Sequence, residues 1–527
     1  MRKKISQTEL IVKELIKSQL KSRADLDAFK RKISKKFNLP TLSNIKLLKA
    51  YHDFCKKKSL KPKKNIENLL IKRRIRSLSG IVVVSVLTKP YPCPGKCLYC
   101  PLQEKIPKSY LENEPAVMRA ILNKFDPYRQ TQTRIKALKL AGHPTDKIEL
   151  RIIGGTWSYY PKKYQTWFIK RCFDACNNKK AKNLLSAQKR NEKAKHRIIG
   201  ISIETRPDFI NKEEIKRLRK LGITMVELGV QSIYDDVLEK NLRGHKVKDT
   251  IIATKLLKDA GFKVLYQVMP NLLGSNLKRD ERMFKEIFNN PDFQPDYLKI
   301  YPTAILKEAP LYKLWKEGKY RPYTEKQLKS FLKKIKKLVP YYVRIQRVIR
   351  DIPSLSVVVG PTKISNLRQV LAKEIEKEGW RCKCIRCREV RENYQGDEKL
   401  YLFRQDYNAS GGKEIFLSFE SENQKRLYSL LRLRIPSKEA LLSVLKNAAI
   451  IREVHTYGRV HPLNKKDGAF LSPQHKGLGK KLIKKAEKIA KEEFGLSKMA
   501  VISGIGVREY YRRLGYRLKD TYMVKKL

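Results

Sequence analysis

The sequence predicts an α/β protein in which a (β/α)-type partial or complete barrel is preceded by a basic helical module and followed by a smaller α/β domain. From Gly80 onward, six short β-branched runs alternate with amphipathic helical stretches, the pattern of a parallel sheet joined by helical crossovers. Near Leu400 the alternation gives way to runs spaced like antiparallel strands, followed by a strongly amphipathic helical stretch at 480–494. At 527 residues the chain has room for two or three folded units with ample cores.

Residues 1–76 place Leu10, Val12, Leu15, Ile16 and Leu20 at helical spacing among lysines and end in the basic run Ile71, Lys72, Arg73, Arg74, Ile75, Arg76. Such a module is either a solvated helical cap or a surface for an RNA backbone. Residues 77–370 hold the barrel, with strands expected at 81–86, 148–153, 198–203, 225–229, 264–268 and 297–301. Chemistry in such barrels gathers where the strands end. Residues 371–398 read as a cysteine-rich linker and 399–527 as the second α/β domain.

Lys and Arg total 117 against 52 acidic residues, a formal net charge of +65, which draws polyanions to the surface and makes nucleic acid the leading partner. Solvated lysine-rich helix faces are the plainer source of the same excess. A hydrophobic fraction of 41% argues against wholesale disorder. No run of about 18 apolar residues appears, and the N-terminus lacks a signal-peptide core, so a cytoplasmic protein without membrane association is expected. Six of the nine cysteines fall in two tight clusters, as metal ligands in a reducing compartment do; Cys55, Cys172 and Cys176 are expected to be buried thiols.

Cys93, Cys97 and Cys100 follow directly on the first expected strand, so three thiolates converge on a loop at the barrel mouth. Three ligands leave one iron of a four-iron cluster open, and an open iron can chelate the amino and carboxylate groups of S-adenosylmethionine. Structural zinc is the alternative for these thiolates, with no fourth Cys or His nearby to complete it. The C-x-x-x-C-x-x-C spacing, with Tyr99 just before the last cysteine, resembles the radical S-adenosylmethionine superfamily. The resemblance implies a 4Fe-4S cluster on these cysteines. It also implies S-adenosylmethionine contacts from Gly154, Gly155 and Thr156 after the second strand, Glu204 and Arg206 after the third, and Gln231 and Ser232 after the fourth. Small residues at 154 and 155 let backbone carbonyls approach a ligand, although turn formation accounts for either glycine equally well.

Further on, Gln474, His475, Lys476, Gly477, Leu478 and Gly479 precede the helix expected at 480–494, with glycines that bare backbone N–H groups toward a pyrophosphate. A helix-entry turn would use the same residues. The string resembles the Q/R-x-x-G-x-G/A motif of the GNAT acetyltransferases, flanked by a strand around Arg452, Glu453, Val454 and His455 and another at 499–503. The stretch 508–516 resembles that family's last helix, where a tyrosine reaches the thioester; Tyr511 and Tyr516 are expected in the core.

A radical domain joined to an acetyl-CoA domain is rare, and the chain resembles the Elongator catalytic-subunit family over nearly its whole length. Strings that carry the likeness include Thr88 to Cys93, Phe125 to Tyr128, Gly244 and His245, Leu298 to Thr303, Leu433 to Pro436 and Ala500 to Gly504. The resemblance implies a tRNA carboxymethyluridine synthase acting at C5 of the wobble uridine, with S-adenosylmethionine and acetyl-CoA sharing one reaction. It assigns acetyl-CoA to Lys147, Arg452, Glu453, Val454, His455, Gly477, Leu478, Gly479 and Tyr510, with Lys147 and Tyr510 as catalytic residues. It further implies zinc on Cys382, Cys384 and Cys387, a set that needs a fourth ligand the sequence does not identify. Pro101, Leu102 and Gln103 stand where relatives tend to have glycines. A protein lysine acetyltransferase with a structural radical domain and a non-catalytic tRNA scaffold are the competing readings. The need for accessory subunits, and the choice between monomer and homodimer, stay open.

Overall fold

The computed structural model describes residues 6–527 apart from 41, 72–76, 361–362, 365, 392–397, 438–439 and 459–476. The basic run at 72–76 and the motif residues Gln474, His475 and Lys476 therefore lie outside the described residues.

The N-terminal module consists of helices Gln7–Lys17, Arg23–Lys36, Asn44–Lys57 and Lys64–Leu70. Ser6, Ser22 and Ser43 cap the first three, each accepting a backbone N–H of the first turn, and lysines close those helices where the dipole favours cations. Val12, Leu15, Leu26, Ile33, Leu47, Leu48 and Tyr51 make a core of the module's own. The module rests on the barrel at Gly142, where an added Cβ would lie 2.7 Å from Ile71 and 3.0 Å from Leu48.

The barrel is a seven-stranded parallel sheet in chain order: β1 (Val82–Leu87), β2 (Lys147–Ile153), β3 (Arg197–Thr205), β4 (Met225–Gln231), β5 (Lys263–Val268), β6 (Tyr297–Ile300) and β7 (Arg344–Arg347). Strands β1 and β7 do not pair, so the barrel is partial. Alternation along β1 and β2 turns Val82, Val84, Val86, Ile148, Leu150 and Ile152 into the core, and leaves Val83, Ser85, Glu149 and Arg151 for the lumen. Strand β7 is absent from the sequence-based expectation, because among its four residues only Ile345 is apolar.

The second sheet runs β13-β14-β12-β11-β10-β9-β8, formed by β8 (Tyr401–Ala409), β9 (Gly412–Glu420), β10 (Leu427–Ile435), β11 (Ala448–Thr456), β12 (Lys498–Val501), β13 (Arg517–Lys519) and β14 (Tyr522–Lys526). All its pairings are antiparallel except β11 with β12, whose contact ends at Ile451 and Val501 while β11 continues to Thr456. Helix Leu478–Glu492 starts two residues before the expected position and packs Leu482, Ile483 and Ala486 on Leu431, Leu433 and Ile451.

The opposite face of this sheet closes the N-terminal end of the barrel. One hydrophobic core joins Val264 and Leu298 of the barrel to Leu430, Ile450 and Ala500 of the second domain. Asp296, just before β6, receives Arg452 at 2.8 Å and Arg432 at 3.5 Å, all three fully buried. Gly504 lies so close to β3 that an added Cβ would meet the Ile199 carbonyl oxygen at 2.0 Å.

Candidate active site

The loop after β1 brings Cys93, Cys97 and Cys100 to the cavity wall, the first two of them beside Gly95. An added Cβ there would stand 3.4 Å from Cys97 Sγ and 4.0 Å from Cys93 Sγ. Arg243 places a guanidinium nitrogen 3.6 Å from Cys97 Sγ. A hydrogen bond from the Cys100 thiol brings the Cys97 thiol down to about 4 against the opposing effect of burial, and the Arg243 charge adds to the fall. The same hydrogen bond and burial push the Cys100 thiol up, so one thiolate, that of Cys97, is held beside a fixed cation, as a ligand of an iron-sulfur cluster would be.

The ends of β2, β3 and β4 supply the wall next to these sulfurs. Gly154 has φ +129°, and a Cβ on it would sit 2.0 Å from Thr88 Oγ1, which donates to the Gly154 carbonyl at 3.1 Å; only glycine fits. Gly155 has φ +95° and faces the cavity with only the Lys108 carbonyl within 4 Å. Thr156 Oγ1 lies 3.9 Å from Cys93 Sγ. Glu204 accepts from Tyr110 Oη at 2.8 Å and Gln267 Nε2 at 3.0 Å, with Lys299 Nζ at 3.4 Å. Arg206 grips Asp208 through two hydrogen bonds and the Gly244 carbonyl at 2.8 Å, which sets its guanidinium against Gly95. Gly155, Thr156, Glu204, Arg206 and Gln231 line the cavity, whereas Gly154 and Ser232 do not.

This cavity has a volume of about 840 Å³ and reaches from Cys93, Cys97 and Cys100 to Glu453, His455 and Tyr457 on β11 and just beyond it. Its lumen is charged but internally matched: Arg151 pairs with Glu149, Lys299 with Glu227, and Arg344 with Glu389 at 2.6 Å. Arg243, Lys299 and Arg344 are site residues that sequence reasoning does not single out. Arg243 directly precedes the string at Gly244 and Lys299 lies inside the string from Leu298 to Thr303, but single basic residues in a lysine-rich chain carry no pattern of their own.

Toward the second domain, Gly477 caps helix Leu478–Glu492 at φ +77° with nothing within 4 Å of an added Cβ. A Cβ on Gly479 would meet Tyr510 Oη at 3.3 Å, Val454 Cγ1 at 3.6 Å and Thr456 Oγ1 at 3.8 Å, so Gly479, Val454 and Tyr510 share one corner. Arg452 is the extra residue of a β-bulge opposite Arg432 and Leu433. Its side chain is committed to Asp296, Glu414 and the Phe262 carbonyl. Glu453 holds Arg432 at 2.9 Å and is also paired with Tyr297 and Lys263. His455 Nε2 lies 2.7 Å from the Ser79 carbonyl, its ring stacked on Tyr457 at 4.3 Å. Lys147 opens β2 outside the cavity lining, and burial lowers its ammonium to about 8. Burial likewise raises the Tyr510 hydroxyl, while Tyr511 and Tyr516 sit in the core.

The sulfurs of Cys382, Cys384 and Cys387 lie within 4.8 Å of one another, the arrangement of a metal-binding trio; no fourth Cys, His, Asp or Glu joins them among the described residues. Lys336 Nζ stands 3.7 Å from Cys387 Sγ. Cys55, Cys172 and Cys176 are buried, as expected.

Residues 91–287 match the radical SAM superfamily, 295–377 the radical SAM C-terminal domain, and 470–516 the GNAT acetyltransferase family. The tRNA uridine(34) acetyltransferase of Methanocaldococcus infernus is 48% identical over 88% of this chain and 89% of its own length. Human Elongator complex protein 3 is 39% identical over 98% of this chain and 96% of its own. The chain belongs to the Elongator complex protein 3 family. The solved Elp3 of Methanocaldococcus infernus, lacking its N-terminus, superposes with a TM-score of 0.76 at 45% identity and covers 86% of this chain and 100% of its own. As in other members of that family, a radical SAM half-barrel is followed by a GNAT domain. The first match implies a 4Fe-4S cluster and S-adenosylmethionine, and acetyl-CoA fits the second. No helix among the described residues is long and apolar enough to cross a membrane.

Proposed function

We propose that this chain installs a carboxymethyl group at C5 of the wobble uridine of tRNA, taking the two carbons from acetyl-CoA. The observation that carries the reading is the single cavity that lies against the cysteine loop at one end and β11 of the GNAT domain at the other. Wobble-uridine modification agrees with the name borne by archaeal relatives at 48% identity, and the +65 net charge suits a polyanionic substrate.

Cys93, Cys97 and Cys100 would hold the cluster, which when bound supplies the electron for reductive cleavage of S-adenosylmethionine. Gly155 and Thr156 offer backbone and a hydroxyl beside Cys93, Glu204, Arg206 and Gln231 would complete that wall around the cofactor, and Gly154 and Ser232 stand behind it. Gly477, Leu478 and Gly479 would offer helix N–H groups to the pyrophosphate of acetyl-CoA, and Arg452 to His455 would hold the rest of the molecule through their strand backbone. Tyr510, in the corner with Gly479 and Val454, would be the hydroxyl for the thioester, and Lys147, whose ammonium burial depresses at the start of β2, is the second catalytic group of this reading. In net terms one hydrogen of the acetyl methyl ends on 5'-deoxyadenosine and the methylene carbon bonds to uridine C5. One electron enters at S-adenosylmethionine cleavage and one leaves with the C5 proton as the ring double bond is restored. Hydrolysis of the thioester then frees the carboxylate. The trio Cys382, Cys384 and Cys387 is the zinc site of this reading, with a structural role. The reaction is placed in the cytoplasm.

Anaerobically reconstituted protein given tRNA, S-adenosylmethionine and acetyl-CoA yields 5-carboxymethyluridine among the digested nucleosides. An intact cluster with no modified uridine contradicts the proposal.

A further inference from the structure

Outside the cavity, beside the cysteine loop, six aromatic rings form a continuous row. Trp167 leans on Tyr164 at 5.6 Å, Tyr164 stacks on Tyr160 at 5.3 Å, and Tyr160 stacks on Tyr91 at 4.9 Å. Tyr91 meets Tyr159 at 6.0 Å, and Tyr159 meets Phe209 edge-on at 5.9 Å. The middle of the row has a structural role. Tyr160 Oη donates to the Lys89 carbonyl at 2.8 Å and Tyr164 Oη accepts from the Lys89 N–H at 3.0 Å, which pins the segment leading into Cys93. That role does not explain the ends. Tyr159 is 40% exposed and Trp167 43% exposed, where a fold would ordinarily spend polar residues.

Cations border the row. Lys89 Nζ lies over the Tyr164 ring at 5.1 Å and the Arg206 guanidinium over Phe209 at 5.9 Å, while Lys162 and Lys163 are exposed on the helix that carries Tyr164 and Trp167. Flat rings between cations are what an unpaired stretch of nucleic acid binds, the bases stacking on the rings and the phosphates meeting the charges. Position adds to the argument: Tyr91 precedes Cys93 by two residues and Tyr159 follows Thr156 by three, so a base stacked here lies beside the segments that carry two residues of the cavity lining. An enzyme that modifies a base must draw it out of its stack, and the neighbours it leaves need a substitute surface.

We infer that Tyr159 and Trp167, with Tyr91, form a stacking platform for unpaired bases adjoining the target uridine in the RNA loop. This rests on the tRNA reading above and adds to it the residues that receive the neighbouring bases.

The test uses full-length protein and an anticodon stem–loop RNA carrying 2-aminopurine beside the wobble position, with binding read by anisotropy and stacking by quenching of the 2-aminopurine. Tyr159→Ala and Trp167→Ala are expected to weaken binding about 5- to 100-fold each, and one of the two to abolish the quenching, with the slope of affinity against salt unchanged. Tyr159→Phe, which keeps the ring, retains both signals. Both alanine variants alter exposed side chains, and an unchanged thermal midpoint shows that the fold is intact. Wild-type affinity and wild-type quenching in both alanine variants overturn the platform and leave the row as a protein-docking or purely structural face. Wild-type protein that binds the stem–loop no better than an RNA duplex, and leaves wobble uridine unmodified, instead removes the tRNA reading itself.

Discussion

Arg243 links Cys97 to the barrel: one guanidinium nitrogen lies 3.6 Å from Cys97 Sγ and the other donates to the Gly229 carbonyl at 2.6 Å. Gly229 makes this possible, since a Cβ there would fall 2.6 Å from that second nitrogen. The cation is thus fixed by backbone beside a sulfur, in a fully buried position where charge acts strongly.

Replacing Arg243 by Gln removes a positive charge that favours the more negative, reduced form of a cluster held by these cysteines. The midpoint potential of the reconstituted cluster is expected to fall, and 5'-deoxyadenosine formation under a weak reductant to slow; Arg243→Lys restores part of the potential. A redox titration followed by electron paramagnetic resonance checks this, and an unchanged potential in Arg243→Gln would separate the guanidinium from the site's electronics.

The domain interface is held by buried charge. Asp296 is paired with Arg452, and both are wholly removed from solvent. Asp296→Asn removes the carboxylate that Arg452 and Arg432 share and leaves them only Glu414 and Glu453, one each, in a fully buried cluster, which costs up to about 3–5 kcal/mol. Urea unfolding should show that loss, with the GNAT domain melting before the barrel where the wild type unfolds them together.

The same interface predicts an acid response. Burial pushes the Glu453 carboxyl up, but Lys263 and Arg432 outweigh it and hold the group at about 2, below its ordinary 4.5. A carboxylate depressed on folding adds stability that is complete above its unfolded value and lost as pH falls toward its folded one. Interface stability from this group is therefore full above pH 4.5 and declines from there toward pH 2. Glu453→Gln should flatten that part of the curve in acid-unfolding titrations.

Gly504→Ala drives a Cβ to 2.0 Å from the Ile199 carbonyl oxygen, and neither backbone can yield cheaply. A loss of about 1–3 kcal/mol or more is expected in thermal or urea unfolding. Gly495→Ala, at φ +62° with nothing within 4 Å, serves as the control and loses about 1 kcal/mol from backbone strain alone.

Six of the seven barrel strands are legible in the sequence because each carries a β-branched or leucine-rich face against the helices. The seventh, Arg344–Arg347, turns Arg344, Gln346 and Arg347 to the lumen and keeps one apolar residue, so no period-two pattern survives. The cysteine spacing, the glycines at 154 and 155 and the Gly477 to Gly479 turn are legible because each is a local pattern, of the fixed spacing that a cluster loop or an anion cradle would need. Arg452 shows where such reading stops. In the sequence it belongs to a strand expected to meet acetyl-CoA, while in the fold a bulge directs its side chain to Asp296, 156 residues earlier. Ion pairs made across the chain leave no mark in a composition already rich in charge, and neither does Arg243, whose partner Cys97 lies 146 residues away.

The most direct test of the account is the fate of deuterium from acetyl-CoA labelled with three deuterons on the methyl. In a reaction with unlabelled S-adenosylmethionine and tRNA, the account predicts 5'-deoxyadenosine heavier by one mass unit and carboxymethyluridine heavier by two. Unlabelled 5'-deoxyadenosine together with an acetylated product that keeps all three deuterons would contradict it.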